Sequence, residues 1–214
     1  PGAGPAVTAV LPAAGDPPPP EAIEAAVRAL ADGRLVGVPT DTVYGLAADP
    51  FRPGATDGLF AAKGRPRTVE LPVLVADVAQ ALSLAVAVPA AARALMARWW
   101  PGALTLVLPR RPGLAADLGS DEATVGVRCP DHPVALTLAR LAGPLATTSA
   151  NRHGQDPLET APDVVATFGE AVAVVLDAGP CRGRPSTVVD CTGVEPRCLR
   201  PGRIPWDEVQ ESLR

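Results

Sequence analysis

The residues best suited to chemistry cluster at Ala62-Lys63-Gly64-Arg65-Pro66-Arg67. Lys63 is the one lysine in the chain, and the other eighteen of its nineteen basic residues are arginines. An ammonium is a compact charge on a flexible stem, and it meets a phosphate or carboxylate where a planar guanidinium does not fit. Two arginines follow at spacings of two and four, and Gly64 lets backbone approach a ligand closely. The segment reads as an anion-handling centre.

Further polar residues fall just beyond the ends of apolar segments, where α/β proteins gather ligands. Thr40, Thr42 and Tyr44 follow Arg34–Pro39. Thr124 and Arg128 bound a short strand, and Thr147, Ser149 and Asn151 alternate through the end of another. Ser186 and Thr187 open a strand, and Arg200 closes the next. Hydroxyls, an amide and cations suit a ligand with several anionic oxygens and a small polar group. A nucleotide and a carboxylate both qualify.

The elements that must position these residues alternate along the chain. A helix is expected after residue 20, with Ile23, Ala26, Val27 and Leu30 at helical spacing and Gly33 past its end as a stop, and others over 54–62, 78–85 (capped by Asp77), 89–100, 132–142, 162–168 and 206–213. Strands are expected over 34–39, 71–75, 103–108, 124–128, 144–148, 172–177, 186–191 and 197–200. Residues 40–45 read as a polar loop. Residues 1–20, rich in Pro and Ala, read as a flexible tail ahead of one domain spanning 21–214. This interleaving predicts an α/β domain built on a single mixed sheet with flanking helices.

Composition removes other classes. The chain has 214 residues, of which 47% are hydrophobic and 3% aromatic, so Ala, Val and Leu must fill the core. A net charge of −4 argues against a general nucleic-acid binder. Cys129, Cys181, Cys191 and Cys198 form no CxxC pair, and His132 and His153 form no HxxxH, so no metal site is expected. No apolar run reaches the ~18–20 residues of a membrane span, and no signal peptide is evident. A cytoplasmic protein is expected. Neither GxxxxGK[ST] nor GxGxxG nor GxSxG occurs.

Seven segments in order add a resemblance: PTDTVYGLAADPF (39–51), AKGRP (62–66), WPGALTLVL (100–108), VGVRCPDHP (125–133), TSAN (148–151), STVVD (186–190) and LRPGRI (199–204). Together they resemble the YrdC family, and within it the single-domain threonylcarbamoyl-AMP synthases. The resemblance implies a twisted sheet with a large concave, electropositive cavity. It also implies a reaction in which L-threonine, bicarbonate and ATP give threonylcarbamoyl-adenylate and pyrophosphate, with Mg²⁺ accompanying the ATP. A partner transferase complex would then move the group onto tRNA.

Carried over by motif, Lys63 and Arg65 match the family's KxR element and are expected to act as the catalytic cations. Ser149 and Asn151 match its SxN element. These four, with Thr124 and Arg200, are expected to hold ATP. Thr42, Arg128, Thr147 and Ser186 are expected to hold L-threonine, and Thr40 and Tyr44 to shape that pocket. The chain departs from the family in two places. Its segment Val69–Ala76 lacks the histidine often found there near threonine, and Asp156-Pro157 stands where Pro-Ser is usual. The resemblance also implies the form without the C-terminal domain of longer members. Three readings compete with the synthase: a YciO-like paralogue without efficient adenylate synthesis, a module binding tRNA or double-stranded RNA, and the same chemistry on another metabolite.

Overall fold

A computed structural model describes residues 8–64, 66–152 and 154–214. Its strands are β1 (Ala9–Pro12), β2 (Leu35–Val38), β3 (Gly45–Ala48), β4 (Val73–Leu74), β5 (Leu104–Pro109), β6 (Thr124–Arg128), β7 (Leu145–Ser149), β8 (Val172–Asp177), β9 (Thr187–Asp190) and β10 (Arg197–Arg200). Its helices are α1 (Pro20–Ala31), α2 (Asp57–Lys63), α3 (Val78–Leu84), α4 (Ala90–Trp99), α5 (Pro133–Ala142), α6 (Ala161–Phe168) and α7 (Trp206–Glu211). All ten strands join one mixed sheet in the order β1-β8-β2-β3-β7-β4-β6-β5-β9-β10. β8 takes β1 and β2 as parallel neighbours, and the β2/β3, β3/β7, β4/β7, β5/β6 and β9/β10 pairs are antiparallel.

Two expectations need correction. The tail does not run to residue 20, because Ala9–Pro12 pairs with β8 and Ala13 N donates to Asp177 O at 2.7 Å. Proline is tolerated on an edge strand, where a missing N–H faces outward; residues 1–7 lie outside the described residues. The loop after β2 also runs directly into β3, whose Gly-Leu-Ala-Ala sequence lacks both β-branched residues and a polar alternation.

The sheet separates two apolar cores by the period-2 alternation of strand side chains. On one face Leu35, Leu46, Val73, Leu104, Leu106, Val125, Val127 and Val175 meet α2, α3, α4, α6 and α7. On the other face Val36, Val38, Ala47, Leu74, Val174 and Leu176 meet α1 and α5. The helices on this second face cover the half of the sheet around β8, β2 and β3. Continuing the same face across β7, β4, β6, β5 and β9 brings up Thr147, Thr124, Gly126, Arg128, Thr105 and Val188 instead of a leucine or valine stripe, and these residues line a cavity. Leu74 stands opposite Arg128 in the β4/β6 register and marks where the core ends and the cavity begins.

Local signals explain the helices that bound this region. Asp77 accepts from Gln80 N at 2.8 Å and caps α3, as its side-chain type predicts. α2 stops at Gly64, whose φ of 63° is left-handed and suits glycine, so Lys63 sits on the last turn. α5 starts after His132, whose Nδ1 accepts from Val134 N at 3.3 Å.

That cap requires a neutral imidazole. Burial pushes His132 below its ordinary value of 6.5, and Asp41 and Asp131 oppose the shift only in part. As pH falls below 6.5 the unfolded chain takes up the proton first, so the fold loses stability through that window. The urea midpoint should therefore fall more between pH 7.5 and 5.5 in the wild type than in His132→Asn, which keeps a capping side chain without titrating. Equal falls would exclude His132 as a source of pH dependence.

Candidate active site

The cavity has a volume of about 670 Å³, within the range of small-molecule sites. Its floor is the bare half-face of the sheet. Its walls come from the loop after β2, the end of α2, the segment 66–72, and residues 185–186 ahead of β9. Gly126 sits mid-floor: the nearest atoms to a Cβ built there belong to Pro72 and Thr105, at ordinary contact distances of 3.7–3.8 Å. A larger side chain at 126 would therefore rise into the cavity without a backbone clash.

One end is organised by Lys63. Its Nζ donates to Ser149 O and Ser149 Oγ, each at 3.0 Å, and to Asn151 Oδ1. Ser149 Oγ also donates to Asn151 Oδ1 at 2.6 Å, while Asn151 Nδ2 donates to Gln155 O at 2.6 Å. Thus the fold joins the two motifs that the sequence separates by 86 residues. Thr124 Oγ1 donates to Asp121 Oδ2 at 2.9 Å along the same wall. Arg65 lies outside the described residues. Arg67, two positions on, is anchored away from the cavity: it pairs with Asp57 at 2.6 Å and with Asp117, and stacks 4.6 Å from the Phe60 ring centroid. Burial raises the Asp117 carboxyl, but hydrogen bonds from Thr56 and Arg67 outweigh it and hold the group below its ordinary range.

The other end is organised by Arg128, which is 7% exposed. Its Nε donates to Gly102 O at 2.9 Å, Nη1 to Thr42 Oγ1 at 2.9 Å, and Nη2 to Asp41 Oδ1 at 2.5 Å. Burial pushes the guanidinium below its ordinary value while Asp41 holds it up, and an arginine stays charged through such a shift. Three of its five donors are thereby used. Thr40 Oγ1 lies 3.0 Å from Thr42 Oγ1 and donates to Val43 O at 2.6 Å, so it shapes the loop. Tyr44 is fully buried, its hydroxyl donates to Gly179 O at 3.0 Å, and burial raises its pKa. The loop 178–185 closes over Thr42: Gly183 N donates to Thr42 O at 2.6 Å, and a Cβ on Gly183 would sit 2.6 Å from Thr42 Cα.

Thr147 Oγ1 donates to Pro72 O at 3.2 Å on the cavity floor. Ser186 Oγ lies 2.8 Å from Thr105 Oγ1, and Arg200 Nη2 donates to Ser186 O at 2.9 Å and Oγ at 3.2 Å. The sequence-predicted residues among those described therefore all line one cavity. Sequence reasoning missed Asp41, Thr105 and Gly126. Asp41 stands inside a recognised motif, but its partner is 87 residues away. Thr105 and Gly126 carried a signal in the alternation of their strands, where a polar or absent side chain interrupts Leu and Val. Cys129, Cys181 and Cys191 are buried, and burial lifts their thiols to about 11, 11 and 12, which suppresses the thiolates. Among the described residues no three His, Cys, Asp or Glu side chains converge as a metal site, and no helix is long and apolar enough to cross a membrane.

The cavity is thus floored by the sheet, with Lys63 and its acceptors at one end and the buried Arg128 at the other. Residues 28–202 match the Sua5/YciO/YrdC family, which carries the description telomere recombination, and the chain belongs to that family. A Mycobacterium tuberculosis protein provisionally named threonylcarbamoyl-AMP synthase is 45% identical over 89% of this chain and 88% of its own length. The Bacillus subtilis threonylcarbamoyl-AMP synthase is 39% identical over 88% of this chain and 55% of its own length. The crystal structure of P. abyssi Sua5 complexed with L-threonine superposes with a TM-score of 0.88 at 35% identity, covering 96% of this chain and 61% of that one. The chain thus spans little more than half of these last two proteins and most of the mycobacterial one.

The Asp41–Arg128 pair has a measurable consequence for the fold. Removing one partner of a buried pair leaves an uncompensated charge, at about 3–5 kcal/mol. Asp41→Ala should lower the unfolding free energy by that order in urea denaturation. A loss under about 1 kcal/mol would show that solvent screens the pair.

Proposed function

We propose that the chain is an L-threonylcarbamoyladenylate synthase, converting L-threonine, bicarbonate and Mg²⁺-bound ATP to threonylcarbamoyl-AMP and pyrophosphate. The observation that carries this reading is one cavity with two cationic centres of different character, in a chain 45% identical over most of its length to a protein provisionally named threonylcarbamoyl-AMP synthase.

Lys63, Ser149, Asn151, Thr124 and Arg200 receive the nucleotide, joined by Arg65 from the KxR element. The ammonium is held at this end of the cavity by three acceptors, and giving up one of them turns a single N–H to a phosphate oxygen while the others keep it in place. Thr42, Arg128, Thr147 and Ser186 receive L-threonine, with the remaining donors of Arg128 facing its carboxylate. Thr40 and Tyr44 hold the loop that carries Thr42. Mg²⁺ enters with the substrate, held by phosphate oxygens and water.

The threonine amine attacks the bicarbonate carbon and water leaves, giving a carbamate. A carbamate oxygen then attacks the α-phosphorus, and pyrophosphate departs with the bond electrons. The protein supplies no covalent nucleophile in this scheme. Holding the three reactants together makes each step effectively unimolecular, and Lys63 and Arg65 stabilise charge on the phosphoryl oxygens. The product would pass to a threonylcarbamoyl transferase complex for tRNA modification, in the cytoplasm. Nothing in the cavity's geometry favours an RNA-binding module over this reading.

Pyrophosphate release and adenylate formation should require ATP, L-threonine and bicarbonate together. Lys63→Ala should cut the rate at least ~10²-fold, the scale for losing one preorganised donor. A variant rate within a few-fold of wild type, measured by mass spectrometry of the adenylate, would remove Lys63 from the catalytic group.

A further inference from the structure

Thr105 is 5% exposed, Ser186 is 6% exposed, and both line the cavity. Thr105 follows Leu104 and precedes Leu106 on β5, both turned into the opposite core. Its own side chain shares the cavity face with Val107 and, through the Val107–Gly126 register, with Arg128 one step further along β6. Valine has the same shape and is the ordinary residue at a buried strand position. A hydroxyl there carries a desolvation penalty unless a polar partner uses it. The partner is Ser186 Oγ at 2.8 Å, and Ser186 Oγ in turn accepts from Arg200 Nη2 at 3.2 Å.

We propose that Thr105 is a positioning residue: it sets the direction of the Ser186 hydroxyl so that the pair presents one hydrogen-bond donor to the amino-acid substrate. The hydrogen count leads to this. Thr105 and Ser186 own two hydroxyl hydrogens between them, and their mutual contact uses one. In the proposed arrangement Arg200 fills one lone pair of Ser186 Oγ and the Thr105 hydroxyl, as donor, fills the other, so the hydrogen left over is that of Ser186. The second hydrogen is left for an acceptor in the cavity that Arg128 also lines. A carboxylate or carbonyl oxygen of the substrate is the group that takes it. Without Thr105 the Ser186 hydroxyl keeps Arg200 but rotates freely about its remaining donor direction.

This inference rests on the synthase reading, and the test separates the two. L-Threonine and a non-hydrolysable ATP analogue are titrated calorimetrically into wild type, Thr105→Val and Thr105→Ser, with adenylate kinetics in parallel. Thr105→Val should weaken threonine binding about 10-fold, the scale of one hydrogen bond to a charged group, and raise its KM accordingly. Its affinity for the analogue should stay within 2-fold, and Thr105→Ser should restore threonine binding. A purely structural role would lower the melting temperature and both affinities alike. Unchanged threonine binding in Thr105→Val, or a serine variant as weak as the valine one, overturns the inference alone. Wild-type protein that binds no threonine overturns the synthase reading and the inference with it.

Discussion

The Arg128–Asp41 ion pair is the constraint on which the site depends. A guanidinium on the bare half of a sheet must be neutralised and bonded, or the face will not stay folded. Asp41 supplies the charge, and the fork of Arg128 then draws in Thr42 and Gly102. Arg203 donates to the Asp41 carbonyl at 2.7 Å, Asp131 N donates to Asp41 Oδ1 at 3.1 Å, and Gly183 holds Thr42 from the far side. Five stretches distant in the chain thus meet around one side chain. A buried pair adds little net stability, but breaking it is costly, so its effect is to fix geometry.

The same balance governs the rest of the cavity. A chain with 3% aromatic residues fills two cores with Ala, Val and Leu. Three successive residues facing the cavity on β6, Thr124, Gly126 and Arg128, forgo the ~1.5–3 kcal/mol that each buried aliphatic side chain would bring. The opposite face of that strand keeps Val125 and Val127 in the core. On β5 and β6 stability is concentrated on one face and chemistry on the other.

Much of this was legible in the sequence. The helices announced themselves through Asp77, Pro89 and Gly33, and the Leu/Val runs marked most strands. Lys63 stood out by being unique, and it meets Ser149 and Asn151 of the SxN element at one end of the cavity. β3 was not legible, since Gly-Leu-Ala-Ala has neither β-branched residues nor alternation and is a strand because β2 and β7 flank it. β1 was hidden by proline-rich neighbours and owes its pairing to β8. Asp41 and Thr105 were not legible as partners because their contacts, with Arg128 and Ser186, span 87 and 81 residues. Pairings of that kind are set by the register of the sheet, which local sequence does not encode.

The central claim is that one cavity holds nucleotide and amino acid at the same time, at two distinct cationic ends. Calorimetric titration of L-threonine into protein saturated with a non-hydrolysable ATP analogue tests it most directly. The account predicts one threonine per chain, bound at least as tightly as to the free protein. Displacement of the analogue by threonine, or no threonine binding once the analogue is present, would mean that the two ligands compete for one end, and would contradict the account.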